Sequence, residues 1–181
     1  MEVGNSVLPL KAIENDLKLF KKSYIIHFIA IILFLISFMY STKTIERIPC
    51  DTSVYDIFKS NFVHIELLHL LSNLYVLYSL MHFENEIGSV DFLKIMFILL
   101  ILNTILESIY RKINSNSKCS IGFSGVLIGM SVYRIIRNKR LSIDNIGSIF
   151  VLAVAPSLTK KNISLSGHLL GAISGIIVSF I

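Results

Sequence analysis

Long apolar runs with few or no charged residues limit what this chain can fold into. The first run covers residues 24–40, and others follow to the end of the chain. A membrane-spanning helix needs about 20 mainly apolar residues. Only 16% of the residues are charged, whereas a soluble domain carries about 25%. The runs therefore predict an all-α membrane protein that crosses the bilayer several times.

Six apolar segments are the candidate spans. They are bounded by polar or charged residues and cover positions 24–40, 64–83, 92–110, 123–136, 146–158 and 165–181. We predict a six-span bundle over residues 23–181, preceded by a short cytosolic segment at residues 1–22. The connection 41–62 contains Pro49 and charges, and such a loop at a membrane surface is often functional.

The basic residues flank apolar segments and do not form a stripe. They occur in two clusters, Lys18, Lys21 and Lys22, then Arg134, Arg137, Lys139 and Arg140. Positive-inside anchoring explains both clusters. The net charge of +5 therefore gives no reason to expect nucleic-acid binding. With six spans, both termini are expected in the cytosol.

The fourth segment is too short to cross the membrane. A helix from Ser124 to Arg137 is roughly 21 Å long, whereas the hydrocarbon core is about 30 Å thick. If Arg137 lies at the inner surface, this helix begins inside the membrane, with Ser124 below the outer surface. Non-helical backbone at that depth must lie beside protein or water, so we expect a water-filled cavity at Ser124.

Ser124 is a candidate nucleophile because it would begin a helix, with Gly122 and Gly125 beside it. Free N–H groups and the positive end of the helix dipole favour an oxyanion there. Glycines also let a substrate backbone approach closely. The alternative is ordinary helix packing, since Gly125 and Gly129 form a pair of small residues one turn apart.

His168 is the candidate base, and it lies between Gly167 and Gly171 in the last apolar segment. An ionisable residue inside a membrane is a functional candidate because its burial is costly, although a hydrogen-bonded core histidine is the alternative. A serine hydroxyl becomes nucleophilic only with a base within reach. No acid, Glu107 included, is placed beside either residue, so we predict a Ser–His dyad.

The second segment adds two polar residues on one helix face, His69 and Asn73, which are four positions apart. His64 lies a little more than one turn earlier. An imidazole and an amide could donate hydrogen bonds to an oxyanion. Interhelical polar contacts are the alternative function for these side chains.

The two cysteines, Cys50 and Cys119, have no metal-binding spacing, and we expect no metal and no cofactor. Both fall on the predicted outer side. A disulfide is possible in an oxidising compartment, but we expect two free thiols.

In the order and placement of these motifs, the chain resembles the rhomboid intramembrane serine proteases over about residues 55–181. The motifs are His64 with His69-Leu-Leu-Ser-Asn73, Glu84 followed by Gly88, Gly122-Phe-Ser124-Gly125, and Gly167-His168-Leu-Leu-Gly171. The Trp-Arg pair that many rhomboids carry in the first loop is replaced by Tyr55-Asp56.

The resemblance implies a fold and a set of roles. Ser124 would be the nucleophile and His168 the general base, with His69, Asn73 and the Ser124 N–H forming the oxyanion hole. Glu84 would tie the inner end of the second span to a neighbouring helix. The 41–62 loop would lie laterally in the membrane, and the fifth span would be a gate beside the second.

The resemblance also implies substrates and a location. The substrates would be single-span membrane proteins, cut within the lipid bilayer. Residues 119–127 look like the endoplasmic-reticulum group of eukaryotic rhomboids, which favours that or another endomembrane. Two other hypotheses remain, a pseudoprotease that binds membrane clients without cutting them and a small channel or transporter.

Overall fold

A computed structural model describes residues 7–114, 119–139, 143–154 and 165–181. These residues form nine α-helices and no strands, which agrees with the predicted all-α class. The helices are α1 (Val7–Lys22), α2 (Tyr24–Ser41), α3 (Val54–Ser60), α4 (Leu67–Ser79), α5 (Met81–Ile87), α6 (Ser89–Ile113), α7 (Ser124–Asn138), α8 (Ile143–Val154) and α9 (Leu165–Val178).

Two of the described helices, α2 and α6, are long and apolar enough to cross a membrane, and α9 is a shorter apolar helix. The outer face of α2 exposes large apolar side chains, including Phe28, Ile31 and Leu35. A continuous apolar surface of this kind is unusual on a soluble monomer and suits contact with lipid. The count of six spans stays a prediction.

The segment 1–22, predicted as a short cytosolic segment, contains helix α1 at positions 7–22. This helix packs against α2 and α4 through Phe20, whose ring lies 4.2 Å from His27 and 6.0 Å from Tyr78. The Asn85 side chain donates to Ser23 Oγ at 2.9 Å, which holds the junction of α1 and α2.

The second predicted span, 64–83, is not one continuous helix. His64 lies before α4, which begins at Leu67. Leu80 has a ψ of 0° and separates α4 from α5. Gly88 has a φ of +86°, a conformation that favours glycine, and α6 begins at the next residue. The chain therefore turns back within a short distance.

The 41–62 connection contains the short helix α3. Ser53 caps this helix by accepting a hydrogen bond from the Asp56 N–H at 3.1 Å, as expected for a serine at this position. Asp56 also pairs with Lys59 at 2.8 Å. The Lys59 hydrogen bond holds the pKa of Asp56 below its ordinary value, against a smaller opposing effect of burial.

The fifth predicted span, 146–158, corresponds to α8, and its positions 155–158 lie outside the described residues. Helix α8 contacts α4 and α7, so it is a neighbour of the second span. The core between α2, α4, α6 and α7 consists of apolar side chains with almost no exposed surface, among them Leu33, Leu77, Leu99 and Leu127. This core holds the elements that carry the candidate site.

Candidate active site

Ser124 is the first residue of α7, as the sequence predicted. Gly122, two residues earlier, has a φ of +100°, a conformation that side chains rarely allow. The chain therefore turns sharply into the helix at this glycine. Helix α7 has 15 residues and is about 22 Å long at 1.5 Å per residue.

The serine hydroxyl lies next to the histidine of the last helix. Ser124 Oγ and His168 Nε2 are 3.0 Å apart, within hydrogen-bond distance. Ser124 is buried, with 4% of its surface exposed. The two residues are 44 positions apart in the chain, and the packing of α9 on α7 brings them together.

Glycines on both helices allow that close packing. A Cβ built at Gly125 would lie 3.1 Å from the carbonyl oxygen of Gly167, and one at Gly129 would lie 2.9 Å from that of Gly171. A Cβ at Gly171 would overlap the backbone of Gly125. The two backbones are therefore in direct contact, as small residues permit between membrane helices.

The other ring nitrogen of His168, Nδ1, is buried and has no hydrogen-bond partner among the described residues. No carboxylate of the described residues forms a hydrogen bond with the His168 ring. Among the described residues, the site therefore contains a serine and a histidine but no acidic third residue.

His69 lies against the turn before the serine. A Cβ built at Gly122 would be 2.5 Å from His69 Cε1 and 2.6 Å from His69 Nε2. Only a glycine leaves room for the imidazole at this place. The ring of His69 therefore borders the Ser124 site.

Asn73 is fully buried, one turn after His69 on α4. Its Nδ2 donates to the His69 carbonyl oxygen at 2.8 Å. An amide group has two N–H hydrogens, so this bond leaves one for another acceptor. Asn73 Oδ1 is buried and without a partner among the described residues.

His64 contacts the same turn from the segment before α4. Its Nε2 accepts a hydrogen bond from the Phe123 N–H at 3.4 Å. Its ring meets the His69 ring edge-on, with centroids 4.9 Å apart. His64 therefore supports both the residue that precedes Ser124 and the neighbouring imidazole.

Glu84 lies at the opposite end of the molecule and has no exposed surface. Its carboxylate accepts hydrogen bonds from the N–H groups of Ile25 and Ile26 at 3.0 and 3.1 Å, and from the Ser89 hydroxyl at 2.6 Å. It thereby supplies acceptors to the first turn of α2, where a helix lacks internal partners and favours negative charge.

Sequence reasoning gave no role to two groups near the site on α6. Glu107 and Arg111 form a buried ion pair of 2.7 Å. The Asn103 amide packs against Gly125, the residue after the serine: a Cβ there would lie 2.9 Å from Asn103 Nδ2. For the ion pair, the available sequence signal was an acid and a base four positions apart within an apolar helix.

The expectation of free thiols was wrong, because Cys50 and Cys119 form a disulfide. The bond joins the 41–62 connection to the segment that leads into Ser124. The two residues are 69 positions apart, and no local spacing signals their contact. In the described part of the chain, no group of three or more His, Cys, Asp or Glu side chains could hold a metal ion.

The sequence also matches a known protein family. The family model of the rhomboid domain matches residues 51–181, which is most of the chain. The chain belongs to the rhomboid family. Family membership and the two long apolar helices indicate that this rhomboid is an integral membrane protein.

Two relatives show how far the likeness extends. This rhomboid is 27% identical over 158 residues to a protein of Acanthamoeba polyphaga mimivirus that is named as a rhomboid protein, and the match covers 85% of this chain and 88% of the relative. It is 28% identical over 146 residues to Rhomboid-like protein 15 of Arabidopsis thaliana, covering 70% of this chain but 36% of that protein. No solved structure matches.

Proposed function

We propose that this rhomboid is an intramembrane serine endopeptidase with Ser124 as nucleophile and His168 as general base. The observation that carries the proposal is the 3.0 Å distance from Ser124 Oγ to His168 Nε2 at the N-terminus of α7. A hydroxyl within hydrogen-bond reach of an imidazole is the arrangement that activates a serine.

The reaction follows from the positions of these groups. His168 takes the hydroxyl proton as Ser124 Oγ attacks a peptide carbonyl carbon, and the carbonyl oxygen becomes an oxyanion. The Ser124 N–H, the His69 ring and the Asn73 amide are the donors for that charge. The C–N bond then breaks as the leaving nitrogen takes the proton from His168, and water hydrolyses the acyl-enzyme.

The substrates in this proposal are single-span membrane proteins. A transmembrane helix satisfies its backbone groups internally, so a buried serine can attack only where the helix unwinds. Gly or Pro lowers the cost of unwinding by about 1 and 3 kcal/mol respectively. Replacing such a residue by Leu near the outward end of a client's segment should suppress cleavage. Equal cleavage of the Leu variant would contradict this account of access.

The proposed topology places both termini in the cytosol, with the Cys50–Cys119 disulfide on the opposite side. Structural disulfides persist in oxidising compartments, which supports an outer or lumenal location for this end of the molecule. An endomembrane location, the endoplasmic reticulum included, suits both points.

The test of the proposal is labelling of the purified protein by a fluorophosphonate, combined with cleavage of a panel of single-span clients. The protein should be labelled and active, whereas Ser124→Ala and His168→Ala should lose both properties while they accumulate at the parent level. Cleavage by purified Ser124→Ala would refute the role of the serine. A parent protein that binds clients but neither reacts nor cleaves would be a pseudoprotease.

A further inference from the structure

The buried ion pair on α6 lies close to the proposed nucleophile. The side chains of Arg111 and Glu107 are 4% and 5% exposed. Arg111 donates to Glu107 Oε1 from Nε at 3.1 Å and from Nη2 at 2.7 Å. Stability does not explain such a pair, since replacing a buried ion pair by apolar residues is often neutral or stabilising.

Arg111 also makes a hydrogen bond outside its own helix. Its Nη2 donates to the carbonyl oxygen of Ser120 at 3.2 Å. Ser120 lies four residues before Ser124, in the segment 119–123 that leads into α7. A guanidinium holds its N–H donors in one rigid plane. Glu107 therefore fixes the plane of the Arg111 guanidinium, and Arg111 in turn fixes the Ser120 carbonyl.

Within the described part of the chain, the same segment is held at three other points. Cys119 is bonded to Cys50. The Gly122 N–H donates to the Ser60 carbonyl oxygen at 2.9 Å, and the Phe123 N–H donates to His64. These anchors come from the 41–62 connection and the segment before α4, whereas Arg111 is the anchor from α6.

We propose that Arg111, oriented by Glu107, is a positioning residue that fixes the segment 119–123 and thereby sets the position of Ser124 relative to His168. This inference rests on the proposed function. It assigns to the buried charge pair an effect on turnover rather than on folding, because the pair acts on the backbone that carries the nucleophile into the site.

The test uses the double variant Glu107→Leu/Arg111→Met, which removes both charges and leaves no charge buried alone. We expect its thermal unfolding in detergent to match or exceed that of the parent. We expect kcat to fall about 10- to 100-fold, since a misplacement of 1 Å can cost about 100-fold, while KM changes less than twofold. A kcat within twofold of the parent in a folded double variant would overturn the proposal.

Arg111→Lys is the second variant, and it keeps the charge but not the fork that joins Glu107 to Ser120. It should lower kcat in the same direction even if the double variant does not fold, and an unchanged kcat in a folded Arg111→Lys protein would overturn the proposal. Asp91→Asn is the matched control, because it breaks an exposed ion pair with Lys94 at the other end of α6. It should leave kcat unchanged.

A readout without catalysis separates this inference from the proposed function. If Arg111 holds the segment 119–123, dithiothreitol should reduce the Cys50–Cys119 bond several-fold faster in both Arg111 variants, as followed by maleimide labelling. Equal reduction rates in the variants and the parent would count against the anchor. A parent that neither reacts with fluorophosphonate nor cleaves would instead refute the protease assignment, and the reduction rates would still test the anchor.

Discussion

Substitution of Gly171 by Ala tests whether the contact between α7 and α9 sets the Ser124–His168 distance. The new Cβ would overlap the backbone oxygen of Gly125, which cannot rotate away as a side chain can. A carbon–oxygen contact needs about 3.3 Å, so the helices must separate by roughly 1 Å. The Ser124–His168 distance of 3.0 Å would then reach about 4 Å, beyond hydrogen-bond range.

The expected effect on activity is larger than the effect on stability. Alanine favours a helix over glycine by about 1 kcal/mol, and overpacking costs about 1–3 kcal/mol, so the net loss of stability is about 0–2 kcal/mol. A displacement of 1 Å costs about 100-fold in rate. Fluorophosphonate labelling rates and kcat measure the first effect, and thermal unfolding in detergent measures the second.

Gly147→Ala is the control, because it makes the same change on α8, where nothing lies within 4 Å of the new Cβ. It should keep the parent's labelling rate. If folded Gly171→Ala protein is also labelled at the parent rate, the glycine contact does not determine the geometry of the dyad and the reasoning is wrong.

Three further predictions concern other parts of the molecule. His69→Ala and Asn73→Ala should each lower kcat about 10²–10³-fold, as loss of an oxyanion donor does, and unchanged turnover would return them to packing roles. Glu84→Ala should lower the free energy of unfolding by about 2–4 kcal/mol, since two N–H groups of a buried helix start lose their acceptor; an unchanged unfolding midpoint in detergent would refute the cap. Because Lys59 lowers the pKa of Asp56, the stability from this carboxylate is present above the ordinary aspartate pKa and is lost as the pH falls through the lowered pKa. Asp56→Asn should therefore flatten the acid side of a stability–pH curve, and a curve that keeps the parent's slope would exclude the pair.

Hydropathy predicted best where a segment is uniformly apolar. The first span was expected at 24–40, and α2 covers Tyr24–Ser41. The second span was misjudged because apolar residues continue through Leu80, where the helix breaks without any Gly or Pro to signal the break. Helix α3 had a readable signal in Ser53 followed by Asp56, a capping pattern, which was not used.

The local features of the candidate site could be derived from the sequence, but its long-range contacts could not. A serine at a glycine-flanked helix start and a histidine between glycines are local patterns. The disulfide and the bond from Arg111 to the Ser120 carbonyl depend on how distant segments fold back, and residue spacing does not encode that. The role of Glu84 was implied by the family resemblance. The structure was needed to show which N–H groups of α2 donate to its carboxylate.

The disulfide restricts the number of times that the chain can cross the membrane between its two cysteines. Cys50 and Cys119 can bond only if both sulfur atoms reach the same side of the bilayer, so the chain between them must cross the membrane an even number of times. That stretch contains α4 and α5, which form the second predicted span, and α6, the third. Two crossings satisfy the condition, and any topology with one or three crossings between these cysteines is incompatible with the bond.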